Sequence, residues 1–158
     1  MRDGSHQQGF SLLELIIAVG IILVLAAIAI PSFMRSRISA NEAAAVASLR
    51  TLTAACTAYS TTWGQGFPVK LANLGPGTPA TSSAADVIDS VLAAGTKSGY
   101  TFVYVSGAPN NGKIVSYTIN ANPITVNKTG TRYFFTDQSG VIRYNFGGSA
   151  SVASKPLS

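Results

Sequence analysis

An α+β fold, one long N-terminal helix packed on a four-stranded antiparallel sheet, is predicted by three features of the sequence. From Phe10 to Ile30 every residue except Glu14 is apolar or small. Beyond Pro31 few helix breakers occur before Gly64, and apolar residues recur at spacings of three and four. From Tyr100 the period changes to two, with turn residues between the runs.

The first element is the apolar run. As a helix it spans about 30 Å, the thickness of a bilayer core. Charged residues make up 11% of the chain, well below the roughly 25% of a soluble domain. The apolar excess lies before Pro31, which favours lipid for that part. The segment can be read as a secretory signal peptide, with Ala27-Ile28-Ala29 as a small-x-small cleavage site. It can also be a plain single-pass anchor, or a helix that spans the membrane and later packs against copies of itself. Glu14 separates these readings. A carboxylate within a membrane helix costs about 2.5–3.5 kcal/mol at the centre and less near an end. A signal peptide or plain anchor gains nothing from it. A helix that must find a partner cation gains both association and register.

Gly9-Phe10-Ser11-Leu12-Leu13-Glu14 resembles the processing site of type IV pilins and of the pseudopilins of type II secretion. Pro31 and Phe33 match the Pro and aromatic common where the family's helix leaves the membrane. The resemblance implies a pilin fold for the α+β chain. It also implies that residues 1–9 are a leader removed by a prepilin peptidase. That enzyme would cut between Gly9 and Phe10 and methylate the new amine of Phe10. Glu14 would pair with the Phe10 amine of a neighbouring subunit, a cation that exists only after the cut. The implied partners are further copies in a helical filament, the peptidase, and an inner-membrane assembly platform with its ATPase. The inner membrane would hold the precursor. Arg35 and Arg37 follow the helix, so the positive-inside rule alone would place that end in the cytoplasm. The resemblance places it outside.

The helix is expected to continue to about Thr62. Residues 10–31 form its hydrophobic part and 32–63 its amphipathic part. Glu42, Ala45, Leu49, Leu52, Cys56, Tyr59 and Trp63 share one face, apolar from Ala45 onward. Pro31 lacks the amide of a helical hydrogen bond, so a kink is expected there, and Gly20 and Pro31 bracket the stretch most ready to loosen. Cys56 reads as a small buried hydrophobe.

Gly64-Gln65-Gly66 ends the helix, and residues 64–99 form a loop region with a short helix over Ala84–Ala94. Ser83 would cap it, Val87, Val91 and Leu92 would point inward, and Gly95 would end it. Residues 100–146 give the meander: a strand from Tyr100, an Asn110-Asn111-Gly112 hairpin turn, and a return strand over Ile114–Asn120. A loop with Asn122-Pro123 follows, then strands Arg132–Thr136 and Val141–Phe146 around Asp137-Gln138-Ser139-Gly140. Residues 147–158 read as a loose tail.

The composition excludes several classes. The net charge of +5 permits nucleic-acid contact. Yet Lys70, Lys97, Lys113, Lys128, Arg132, Arg143 and Lys155 are scattered, as on a solvated surface. The strand aromatics could alternatively form a base-stacking platform. One cysteine precludes an internal disulfide, and the single histidine, His6, precludes a Cys/His zinc site. Asp86, Asp89 and Asp137 are too sparse for a calcium cage. No nucleophile elbow, phosphate loop or paired-carboxylate site is present, so neither an enzyme nor a cofactor is expected.

Three functions fit these readings: a pilus subunit exposed at the cell surface, a pseudopilin in a periplasmic filament, and an exported soluble or DNA-binding domain.

Overall fold

A computed structural model describes residues 10–157. The leader, including Gly9 and His6, lies outside the described residues. The chain divides into two units, one ending at Ser36 and the other covering Arg37–Ser158.

One helix, α1 (Leu12–Trp63), belongs to both units and runs unbroken through Gly20 and Pro31. Ser11 starts it, its Oγ accepting from the Leu13 amide at 3.3 Å. Gly64, with φ +65°, ends it.

In the second unit α1 is followed by a 3₁₀ turn, Leu71–Leu74, and a short helix, α2 (Ser90–Ala93). The strands are β1 (Thr96–Lys97), β2 (Tyr100–Ser106), β3 (Pro109–Asn110), β4 (Lys113–Ile114), β5 (Tyr117–Pro123), β6 (Arg132–Asp137), β7 (Arg143–Phe146) and β8 (Lys155–Pro156). The sheet has six strands in the order β1-β2-β5-β6-β7-β8, every pair antiparallel. Its four central strands are the expected meander. The two edge strands, two residues each, were too short to give a periodic signal.

The stripe of α1 packs where its spacing indicated. Ala45, Leu49, Leu52, Cys56 and Tyr59 are buried with Tyr100, Phe102, Tyr117, Ile119, Ala121 and Phe134 of the sheet. Trp63 lies at the edge of this core, half-buried. Along β5 burial alternates, with Tyr117, Ile119, Ala121 and Pro123 inward. Buried Tyr59 and Tyr100 and half-buried Tyr104 donate their phenols to carbonyls, those of Ser82, Arg132 and Pro68 respectively. Burial pushes the Cys56 thiol up to about 12, so it is a packing group with no thiolate at neutral pH.

Several local expectations are corrected. The helix over Ala84–Ala94 shrinks to α2, and Asp89 caps it instead of Ser83, accepting from the Leu92 amide at 2.9 Å. The amides of Ala85, Asp86, Val87 and Ile88 are spent on the carbonyls of Asn73, Leu74 and Gly75. A segment whose donors are used this way cannot start a helix. Leu92 is buried, but Val87 and Val91 are exposed.

The Asn111-Gly112 turn forms with both φ values positive, yet it closes only the small β3–β4 hairpin. The return strand begins at Tyr117 because Ile114 leaves the main ladder, its carbonyl accepting from the Phe67 amide at 2.8 Å. Asn122-Pro123, expected as loop, completes β5.

Residues 147–157 are tied to the sheet. Asn120, on the face opposite Ile119 and Ala121, donates to the Ala150 carbonyl at 2.8 Å, and Arg143 donates to the Ser154 carbonyl. Together with β8 this segment lies over part of the outer face, where Phe135 is buried, while Phe134 and Thr136 are buried on the inner face.

Candidate functional site

In the first unit the sequence places apolar side chains on every face of the helix, and the structure leaves them exposed, Phe10 at 86%. An 18-residue window of α1 has a mean hydropathy of 3.0 and no buried share, so the helix is long and apolar enough to cross a membrane. Gly20 has open space where a Cβ would be. The missing side chain leaves an apolar groove lined by Ile17, Ile21, Val24 and Leu25.

Glu14 sits in the first turn of α1. Its carboxylate forms no ion pair among the described residues. Ser11-Leu12-Leu13-Glu14 also has the spacing of a capping box, a signal in the sequence that the processing motif overlies. An acid in the first turn complements the helix dipole. Phe10 precedes the helix, so Phe10 and Glu14 are placed together at its start, and Gly20 and Pro31 lie further along the same helix.

Two acids of the second unit, Asp89 and Asp137, serve local structure. Asp89 caps α2 and pairs with Lys97 at 2.8 Å. That cation holds its carboxyl below the usual range, with help from the Leu92 amide. Asp137 Oδ1 accepts from the Ser139 amide in the turn closed by Gly140.

Sequence reasoning missed the role of Glu42, counted only as a member of the helix stripe. It is 4% exposed. Its Oε1 accepts from the Thr131 amide (2.8 Å), the Thr131 hydroxyl (2.8 Å) and the Arg132 amide (3.1 Å). Its Oε2 accepts from Arg132 Nε at 2.7 Å. Arg132 in turn lies over the Phe134 and Tyr144 rings at 5.4 and 5.7 Å. Burial pushes the Glu42 carboxyl up, but the bonds from Thr131 and Arg132 outweigh it and hold it below the usual range. Beside it Asn41 donates to the Thr129 carbonyl at 3.0 Å. This pair fastens α1 to the start of β6, with no local sequence signal because the partners are about ninety residues apart.

Residues 4–30 match the family model of the prokaryotic N-terminal methylation motif. No curated protein and no solved structure matches the chain. The matched segment takes in the Gly9-Phe10 junction, Glu14 and nearly all of the exposed apolar helix. The motif implies processing by a prepilin peptidase, and the apolar helix fits an inner-membrane precursor. The chain thus bears at its N-terminus the class III signal of the type IV pilin and pseudopilin family.

Proposed function

We propose that this chain is the structural subunit of a type IV pilus, without enzymatic activity. The observation that carries the reading is the exposed apolar helix that begins at a methylation motif and holds a single carboxylate. Lipid satisfies such a helix in the precursor. In the filament other copies do, through their own apolar helices. Cleavage between Gly9 and Phe10 creates the amine that Glu14 of a neighbour pairs with, which sets register. Gly20 and Pro31 mark where the helix loosens as subunits pack. An assembly platform and its ATPase move the subunit from the inner membrane to the surface.

Mass spectrometry of the mature chain tests the processing step. The expected N-terminus is methylated Phe10, and a start at Ile30 would sink the reading. Gly9→Leu should leave the precursor mass unchanged. Electron microscopy of filaments sheared from cells, with peptide identification, tests the destination. Recovery of the chain only from periplasmic assemblies would assign it to a pseudopilus instead.

A further inference from the structure

We propose that Asn111 is a site of spontaneous covalent modification. It converts to aspartate and isoaspartate in the folded protein, and this loosens the hold of the β3–β4 hairpin on the end of α1. The inference is independent of the filament reading. The reaction needs a backbone amide nitrogen free to attack the side-chain amide of the residue before it. Among the asparagines of the chain only Asn111 is followed by glycine, so no side chain crowds the attacking nitrogen. Asn122 precedes proline, which has no N–H to give up. Asn111 and Gly112 are both exposed, with open space where a Gly112 Cβ would be. Neither the Asn111 side chain nor the Gly112 amide forms a hydrogen bond among the described residues.

The step needs no co-reactant except water. The Gly112 nitrogen loses its proton and bonds to Asn111 Cγ. The Cγ–Nδ2 bond breaks and ammonia leaves, closing a cyclic imide. Water then opens the ring. Cleavage of the new N–Cγ bond leaves an ordinary aspartate. Cleavage of the original peptide bond leaves isoaspartate, with the side-chain methylene now in the backbone. Ring closure must turn the Asn111 backbone. The hairpin around it has only two residue pairs, Pro109–Ile114 and Asn110–Lys113, and so short a ladder opens easily.

The product acts just beyond the turn. The Ile114 carbonyl accepts from the Phe67 amide at 2.8 Å, and its amide donates to the Gln65 carbonyl at 3.4 Å. Gly66 lies so close that a Cβ there would overlap the Ile114 backbone. These contacts clasp the residues that follow α1. A longer backbone at residue 111 shifts the hairpin against this clasp.

The full chain, in detergent micelles at mildly alkaline pH, tests the conversion. Trypsin cuts at Lys97 and Lys113 and releases residues 98–113. That peptide should gain the mass of an amide turned to acid, at Asn111 before any other asparagine, and an isoaspartate methyltransferase should label it. The same chain in urea gives the unfolded rate. Conversion in urea with none in the folded chain over the same period would overturn the proposal, as would earlier conversion elsewhere. Gly112→Ala should slow the reaction about tenfold, and an undiminished rate would overturn the role of the Gly112 nitrogen. The loosening has its own readout. The isoaspartate fraction should exchange the Phe67 and Ile114 amides faster than both the fresh chain and an Asn111→Asp variant, which gains only the charge. Equal exchange in all three would overturn the loosening.

Discussion

Up to Ser36 the long helix leaves its apolar side chains exposed, while from Arg37 onward the same helix buries an apolar stripe against a sheet of its own chain. Leu12 and Leu49 are the same residue type in the same helix. Leu49 is fully buried by strands of its own chain, and Leu12 is 75% exposed. The first region carries apolar area that the described residues leave uncovered, and the second buries its stripe within one copy. On the proposed filament reading, assembly energy and folding energy lie in separate stretches of one helix, and mutations should separate them.

The largest effect expected is at Glu14. Glu14→Ala should abolish filaments while leaving the melting of the second unit unchanged. Glu14→Gln sharpens the result, since glutamine keeps the capping-box chemistry but not the charge. If Gln assembles normally, the carboxylate acts as a helix cap and not as a partner for an amine. Next, Leu49→Ala should destabilise the second unit by about 3 kcal/mol in denaturant unfolding without altering processing at Gly9-Phe10. Glu42→Ala should cost a similar or slightly smaller amount, about 2–3 kcal/mol, because Thr131 and Arg132 lose their acceptor. Amide exchange should rise first at Thr131 and Arg132.

The same carboxylate gives a pH dependence. Its folded pKa lies below the usual glutamate value, so its contribution is present above that value and is lost as pH falls through the folded one. Acid unfolding of the Glu42→Gln variant should therefore be shallower in that window. The smallest effect has the opposite sign. Thr136 is fully buried and its hydroxyl has no partner among the described residues. Thr136→Val should leave stability unchanged or raise it by about 0.5–1 kcal/mol.

Where sequence and structure agree, the signal was periodic. The α1 stripe and the β5 alternation repeat often enough to declare both element and buried face. The methylation motif was legible for a different reason: residues 4–30 match it as one continuous stretch and need no distant partner. What escaped was set by distant partners. Nothing near Glu42 announces Thr131, and nothing in Ala84–Ala94 shows that its amides are taken by Asn73–Gly75. The 147–157 segment, rich in Gly, Ser and Ala, reads as tail because its hold on the sheet runs through backbone carbonyls that any sequence possesses. Among the short-range signals, the turns at Asn111-Gly112 and Gly140 formed as expected, since positive φ is a property of the residues themselves.

The two edges of the sheet carry a last consequence. β1 and β8 are two residues long, and between them they present Lys97, Lys155 and Pro156. Short strands with lysine or proline are poor templates for backbone pairing, because proline has no amide to offer and an ordered ammonium resists stacking. On the proposed filament reading, subunits held in a membrane and then packed side by side would meet at very high local concentration. Long bare edges under those conditions would invite strand-to-strand accretion of the amyloid kind. Blunted edges let such subunits crowd together while the contacts that form remain reversible.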